Sequence, residues 1–127
     1  MSAKLHNGHE YIEIEKISKI DDDMEIVITA KSSFIEVNFS TFIFSYELKK
    51  YCEKLKTAQE KLSGTITEHY FNYERDFKID ITYYAGGHAV IDAFFKSNTE
   101  FGNNCNISFA TDQTFIAEFL NGLKKML

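Results

Sequence analysis

The sequence predicts an α+β fold: a mainly antiparallel sheet of about seven strands with two helices packed on one face, in the order βββα ββββα. Three features of the chain lead there. Tyr11 to Ile17 and Phe77 to Tyr83 alternate apolar and polar side chains, which is the period of a half-buried strand, and other stretches within 24–39 and 65–109 are rich in strand-forming residues. Two other stretches repeat their apolar residues every three or four positions, the period of an amphipathic helix. Each of these helices has one apolar stripe and must lie against something, and a twisted sheet satisfies that need.

The elements follow in order. Tyr11-Ile12-Glu13-Ile14-Glu15-Lys16-Ile17 places isoleucines and charges on opposite faces. Asp21-Asp22-Asp23 is a polar break before Met24 to Lys31, whose Ile26, Val27, Ile28 and Thr29 suit a strand. Lys31-Ser32-Ser33 reads as a turn, and Phe34 to Phe39 as a third strand. Connections this short favour an antiparallel meander. Leu48, Tyr51, Cys52, Leu55, Ala58 and Leu62 then make a helical stripe, with lysines and glutamates opposite. The spacing predicts a helix over 46–63, capped by Ser45 and stopped by Gly64. Strand patterns resume over Thr65 to Tyr73, Phe77 to Tyr83, Ala89 to Phe95, and around Cys105, Ile107 and Phe109. Ala85-Gly86-Gly87 is a turn and Asn98 to Asn106 a glycine- and asparagine-rich loop. The chain closes on a helix striped by Phe115, Ile116, Phe119, Leu120, Leu123 and Leu127, with Thr111 or Asp112 as its N-cap. The two halves share a plan, strands followed by a helix, without matching residues.

At 127 residues, with no linker or composition shift, the chain is expected to form one domain over 1–127. Twelve Phe and seven Tyr supply a sizeable core. A net charge of −5 argues against general binding to nucleic acid or anionic membranes and is compatible with a basic protein partner. Met1 to Glu10 lacks the apolar run of a signal peptide, and no stretch of 18 apolar residues exists to span a membrane. Cys52 falls on a helix stripe and Cys105 in a polar segment, so two reduced thiols in a cytoplasmic protein are expected.

No catalytic constellation is legible. His6, His9 and Glu10 offer metal-ligating types, but on a polar terminus. Asp21-Asp22-Asp23 lacks the glycine and distant glutamate of a calcium loop. Glu68, His69, Glu74, Asp76 and Asp80 crowd one hairpin, yet adjacent Glu68 and His69 point to opposite faces of a strand. Gly86-Gly87-His88 precedes a strand, where a dinucleotide fingerprint needs a helix. Tyr70, Phe71, Tyr73, Tyr83 and Tyr84 would stack nucleobases only with interleaved Arg and Lys, and only Arg75 and Lys78 are near. No cofactor and no metal are expected.

The second half of the chain, from about Phe44 to Leu127, resembles the WapI-like family of bacterial immunity proteins of polymorphic toxin systems. The marks are the helix Leu48 to Leu62 ending at Gly64, Glu74 with Phe77-Ile79-Ile81, Gly87-His88 opening an apolar strand, and Ile107-Ser108-Phe109-Ala110-Thr111-Asp112-Gln113-Thr114 leading into the last helix. The N-terminal strands carry no such mark. The resemblance implies a non-enzymatic cytoplasmic protein that binds and blocks a cognate toxin domain, often a nuclease. Beside that implication, the residues supply a physical route. A nuclease is basic to hold its substrate, and an acidic inhibitor associates with it quickly. The candidate contacts are Asp21, Asp22, Asp23, Glu68, Glu74 and Asp76, with Tyr70 and Tyr73 as aromatic anchors. Two other readings stay open: a small-ligand or regulatory domain with a pocket between sheet and helices, and a subunit of a structural homo-oligomer.

Overall fold

The computed structural model describes residues 1–97 and 102–127. Among them the order is β1 (Ser2–His6), β2 (Tyr11–Ile20), β3 (Asp23–Ser32), β4 (Ile35–Phe44), α1 (Ser45–Lys61), β5 (Thr65–Ile66), β6 (Phe77–Tyr83), β7 (His88–Lys96), β8 (Asn104–Asp112) and α2 (Gln113–Met126). The class is α+β, as the periodicities predict. The single sheet is corrected to two antiparallel meanders of four strands each, β1-β2-β3-β4 and β5-β6-β7-β8.

The division has a local cause. β4 has a free edge that a continuing strand would occupy, but its C-terminal half is taken by an irregular segment. Phe44 donates its N–H to the Phe71 carbonyl (2.9 Å), and the Asn72 amide donates to the Phe42 carbonyl (2.8 Å). The expected strand Thr65 to Tyr73 is therefore only the two-residue β5; the chain takes a left-handed turn at Glu68, and another at Arg75 just beyond that stretch.

A strand was also missed at the start. Ala3 and Leu5 are buried where the sequence suggests a frayed polar terminus, because α2 lies across β1. Gly122 makes that approach possible: a Cβ there would come within 2.9 Å of Ala3 Cα and Cβ. Lys16 donates to the Met126 carbonyl (3.0 Å), placing a cation at the negative end of α2. The Asp112 carboxylate caps the other end, accepting from Thr114 and Phe115 N–H groups, as expected. α1 begins differently. Phe44 holds its N-cap position, and Ser45 is the first helical residue, donating its N–H to the Asp22 carbonyl (2.8 Å). Its C-cap is Leu62, in the left-handed conformation, two residues before Gly64. Of the loop read at Asn98 to Asn106, residues 98–101 lie outside the described residues, and Asn104 to Asn106 belong to β8.

Each helix closes the other half's sheet. α1, which follows the first sheet, packs on the second: the buried Tyr51 hydroxyl donates to the Ile79 carbonyl of β6 (2.8 Å). α2, which follows the second sheet, packs on β1 of the first. The helices also meet, where Gln59 donates to the Gln113 carbonyl (2.6 Å). Direct links join the sheets. Phe39 meets Phe95 edge-on (5.9 Å), and the Thr111 hydroxyl donates to the His6 carbonyl (2.7 Å). The buried side chains of both sheets and both helices form one continuous apolar cluster.

Candidate functional site

Three segments distant in sequence meet at one end of the molecule: the β2–β3 turn, the start of α1, and the loop Thr67 to Asp76. The bond from Ser45 N–H to Asp22 joins the first two, and the bond from Phe44 N–H to Phe71 joins the third. At their junction Phe44 stacks on Tyr46 (5.0 Å) and meets Tyr73 edge-on (4.9 Å). The neighbouring Tyr73 hydroxyl, then desolvation, and last the Glu47 and Asp22 carboxylates push the Tyr46 hydroxyl up to about 12. These aromatic rings line an open cleft of about 470 Å³ with Glu47, Lys50, Lys54, Glu68, His69, Tyr70, Asn72 and Arg75.

The predicted contact residues fall into three groups here. Asp21, Asp22 and Asp23 are exposed on the β2–β3 turn, and Tyr73 and Glu74 are exposed on the loop beside it. Among the described residues these acids form no ion pair through their side chains. Glu68 is exposed but engaged. Lys78 lies 2.6 Å away and Arg75 3.9 Å away, and hydrogen bonding to Lys78 holds its carboxyl below the usual range. Both cations also lie over the Tyr70 ring, Arg75 at 4.5 Å and Lys78 at 5.6 Å, so Tyr70 is a half-buried support. Asp76 is buried. Its carboxylate accepts from the Asn72 amide (2.7 Å) and the Thr41 hydroxyl (2.8 Å), so it fixes the loop to β4 from beneath.

His69 forms the floor of the cleft. Its Nδ1 lies 2.9 Å from Lys54 Nζ, and its Nε2 lies 3.0 Å from the Glu47 carbonyl and 3.1 Å from the Glu47 carboxylate. An ammonium only donates, so Nδ1 accepts and Nε2–H donates, which is a neutral ring. Burial, followed by the Lys54 charge, holds its pKa below 6.5. The unfolded chain therefore takes up a proton more readily than the folded one. The stabilising contribution of neutral His69 is present above pH 6.5 and is lost as pH falls through 6.5 toward the lower folded value. The parent chain should lose more thermal stability than His69→Gln between pH 7.5 and 5. Equal losses in both would show that His69 does not contribute.

The remaining candidates are structural. His6 rests on Phe115 (4.4 Å between rings), 3.8 Å from Glu118, and Glu10 accepts from Asn7 and Ser32. Asp80 accepts from Thr67 and Lys78. Burial pushes the Cys52 thiol up to about 11, which fits a packing residue. No group of three or more potential metal ligands is assembled among the described residues. The sequence did not single out Phe44 and Tyr46. Tyr46 sits two positions before the first residue of the helical stripe, and that phase error was the available signal.

The family model of the immunity protein WapI-like family matches residues 9–127. The chain belongs to that family. The match extends the resemblance over β2, β3 and β4, where no motif was recognisable. A search of curated proteins and a search of solved structures each found no match. This member of the family has no helix long and apolar enough to cross a membrane among its described residues.

Proposed function

We propose that the chain neutralises a cognate toxin domain by binding it directly in the cytoplasm, without catalysis, and that the end formed by the β2–β3 turn and the Thr67–Asp76 loop is a contact surface. One observation carries the reading. In a member of an immunity family, exposed Asp21, Asp22 and Asp23 are brought beside Tyr46 and exposed Tyr73 from distant parts of the sequence. Aromatic anchors rimmed by carboxylates suit a basic partner: the rings supply contact area and the acids steer its approach. A nuclease domain is such a partner, since it is basic where it holds phosphates. The small-ligand reading is less well supported, because the cleft is open and its Glu47, Lys54 and His69 already satisfy one another.

The test uses the toxin domain encoded beside this chain's gene. Co-expression should rescue growth, and the purified pair should bind. Tyr73→Ala and the double reversal Asp21→Lys/Asp23→Lys should each weaken binding by about tenfold, the reversal mainly through the on-rate and less so in high salt. Rescue without any complex would point to an indirect mechanism and sink the proposal.

A further inference from the structure

Both helices and the second sheet lie on the inner side of the first sheet, which leaves its outer face uncovered. On that face the ladder places Ser18 opposite Glu25 and Glu25 opposite Phe42, and likewise Ile20 opposite Asp23 and Asp23 opposite Phe44. The β2 bulge between Lys16 and Ser18 breaks the alternation of the strand and leaves Ile17 exposed. Three apolar side chains are exposed here: Ile20 is 73% exposed, Phe42 58% and Ile17 50%. Ile20 and Phe42 lie on the same face two strands apart, with Asp23 and Glu25 of β3 between them, so this corner interleaves apolar side chains with acids.

The surrounding charge identifies what would cover it. Asp23 and Glu25 stand between Ile20 and Phe42, Glu15 lies further along β2, and none of the three forms an ion pair among the described residues. The lysines of this face are elsewhere and occupied: Lys4 lies over Tyr11 (4.8 Å), and Lys31 pairs with Glu36 (3.6 Å). A two-fold contact with a second copy would set the three acids against themselves. Nucleic acid and anionic lipid would be repelled.

We infer that this corner of the outer face is a docking surface for a basic protein whose contact patch sets apolar side chains among its cations. The inference rests on the immunity reading, with the toxin domain as that protein. The corner adjoins the end site, because Glu74 of the loop lines a groove of about 240 Å³ with Glu25 and Phe42. One partner can therefore cover both surfaces.

The experiment measures binding of the full chain to an inactivated form of the toxin domain encoded beside its gene. Two variants are compared with the parent, Ile20→Ser/Phe42→Ser and Glu15→Lys/Glu25→Lys, after thermal unfolding shows each to be folded. If the first melts early, Ile20→Ala replaces it. The apolar variant should raise Kd by about thirtyfold through the off-rate. The charge variant should lower the on-rate by about tenfold and flatten its dependence on salt. Parent-like binding by both would overturn the docking surface and leave the immunity reading standing. No binding by the parent chain would overturn both. A dimer of the free chain that Ile20→Ser/Phe42→Ser dissolves would assign the corner to a second copy and overturn the inference.

Discussion

Replacing Asp76 by alanine should lower the unfolding free energy by about 2–4 kcal/mol, the range expected when buried hydrogen-bonded partners of a charge are stranded. The carboxylate is 0% exposed and accepts from Asn72 and Thr41. Asn72 also donates to the Phe42 carbonyl and accepts from the Arg75 N–H, so one amide and one carboxylate tie the loop to the C-terminal half of β4. Truncation leaves those groups in a cavity without their acceptor. Asp76→Asn keeps an oxygen there and should cost less. Urea unfolding measures both. A loss below about 1 kcal/mol for Asp76→Ala would show that the loop is held by other means. Hydrogen exchange should quicken first in Tyr70 to Arg75. Binding should also weaken, although Asp76 is buried, because Tyr73 and Glu74 are presented by the loop it holds.

The second expected result reverses an ordinary sign. Glycine to alanine inside a helix usually stabilises by about 1 kcal/mol, since glycine has more freedom to lose. At Gly122 the added Cβ would meet Ala3 Cα and Cβ at 2.9 Å and the Ser2 carbonyl at 3.2 Å. Backbone cannot swing aside as a side-chain tip can, so α2 must lift from β1 or β1 must shift. Gly122→Ala should therefore destabilise by about 1–3 kcal/mol, as overpacking does, and lower the thermal midpoint by roughly 4–12 °C. A midpoint that rises would mean that α2 rides on β1 loosely.

The sequence signals were strong where one period ran unbroken. Phe77 to Tyr83 alternates over seven residues and is β6 throughout; Leu48 to Ala58 keeps a helical phase and is α1. They failed where burial comes from distant parts of the chain. Two apolar residues in Ser2–His6 are too few to declare a strand, and only α2 makes them core. The aromatic run Ile66 to Tyr73 looks like a strand, but His69, Phe71 and Asn72 turn inward by left-handed turns and a side-chain amide that replaces a ladder. For the site, residue types were legible and their grouping was not. Asp21 to Asp23 and Tyr73 were named as candidate contacts, but the Ser45 and Phe44 backbone bonds that bring them side by side have no sequence signature. Phe42 had a faint one, as an apolar residue on the polar phase of its strand; Ile20 had none, because it keeps the phase of Ile12 and Ile14 and only the bulge turns it outward.

The exchange of helices between the two halves bears on how the chain acquires its structure. β1 must wait for α2, and the His6 carbonyl waits for a hydroxyl 105 positions away. Such long-range closure raises contact order and slows folding relative to a chain built from neighbours. Neither half holds the helix that seals it, so a fragment ending near Gly64 should remain loose alone. Mixed with its complement, it should regain structure, because each piece carries the other's missing lid.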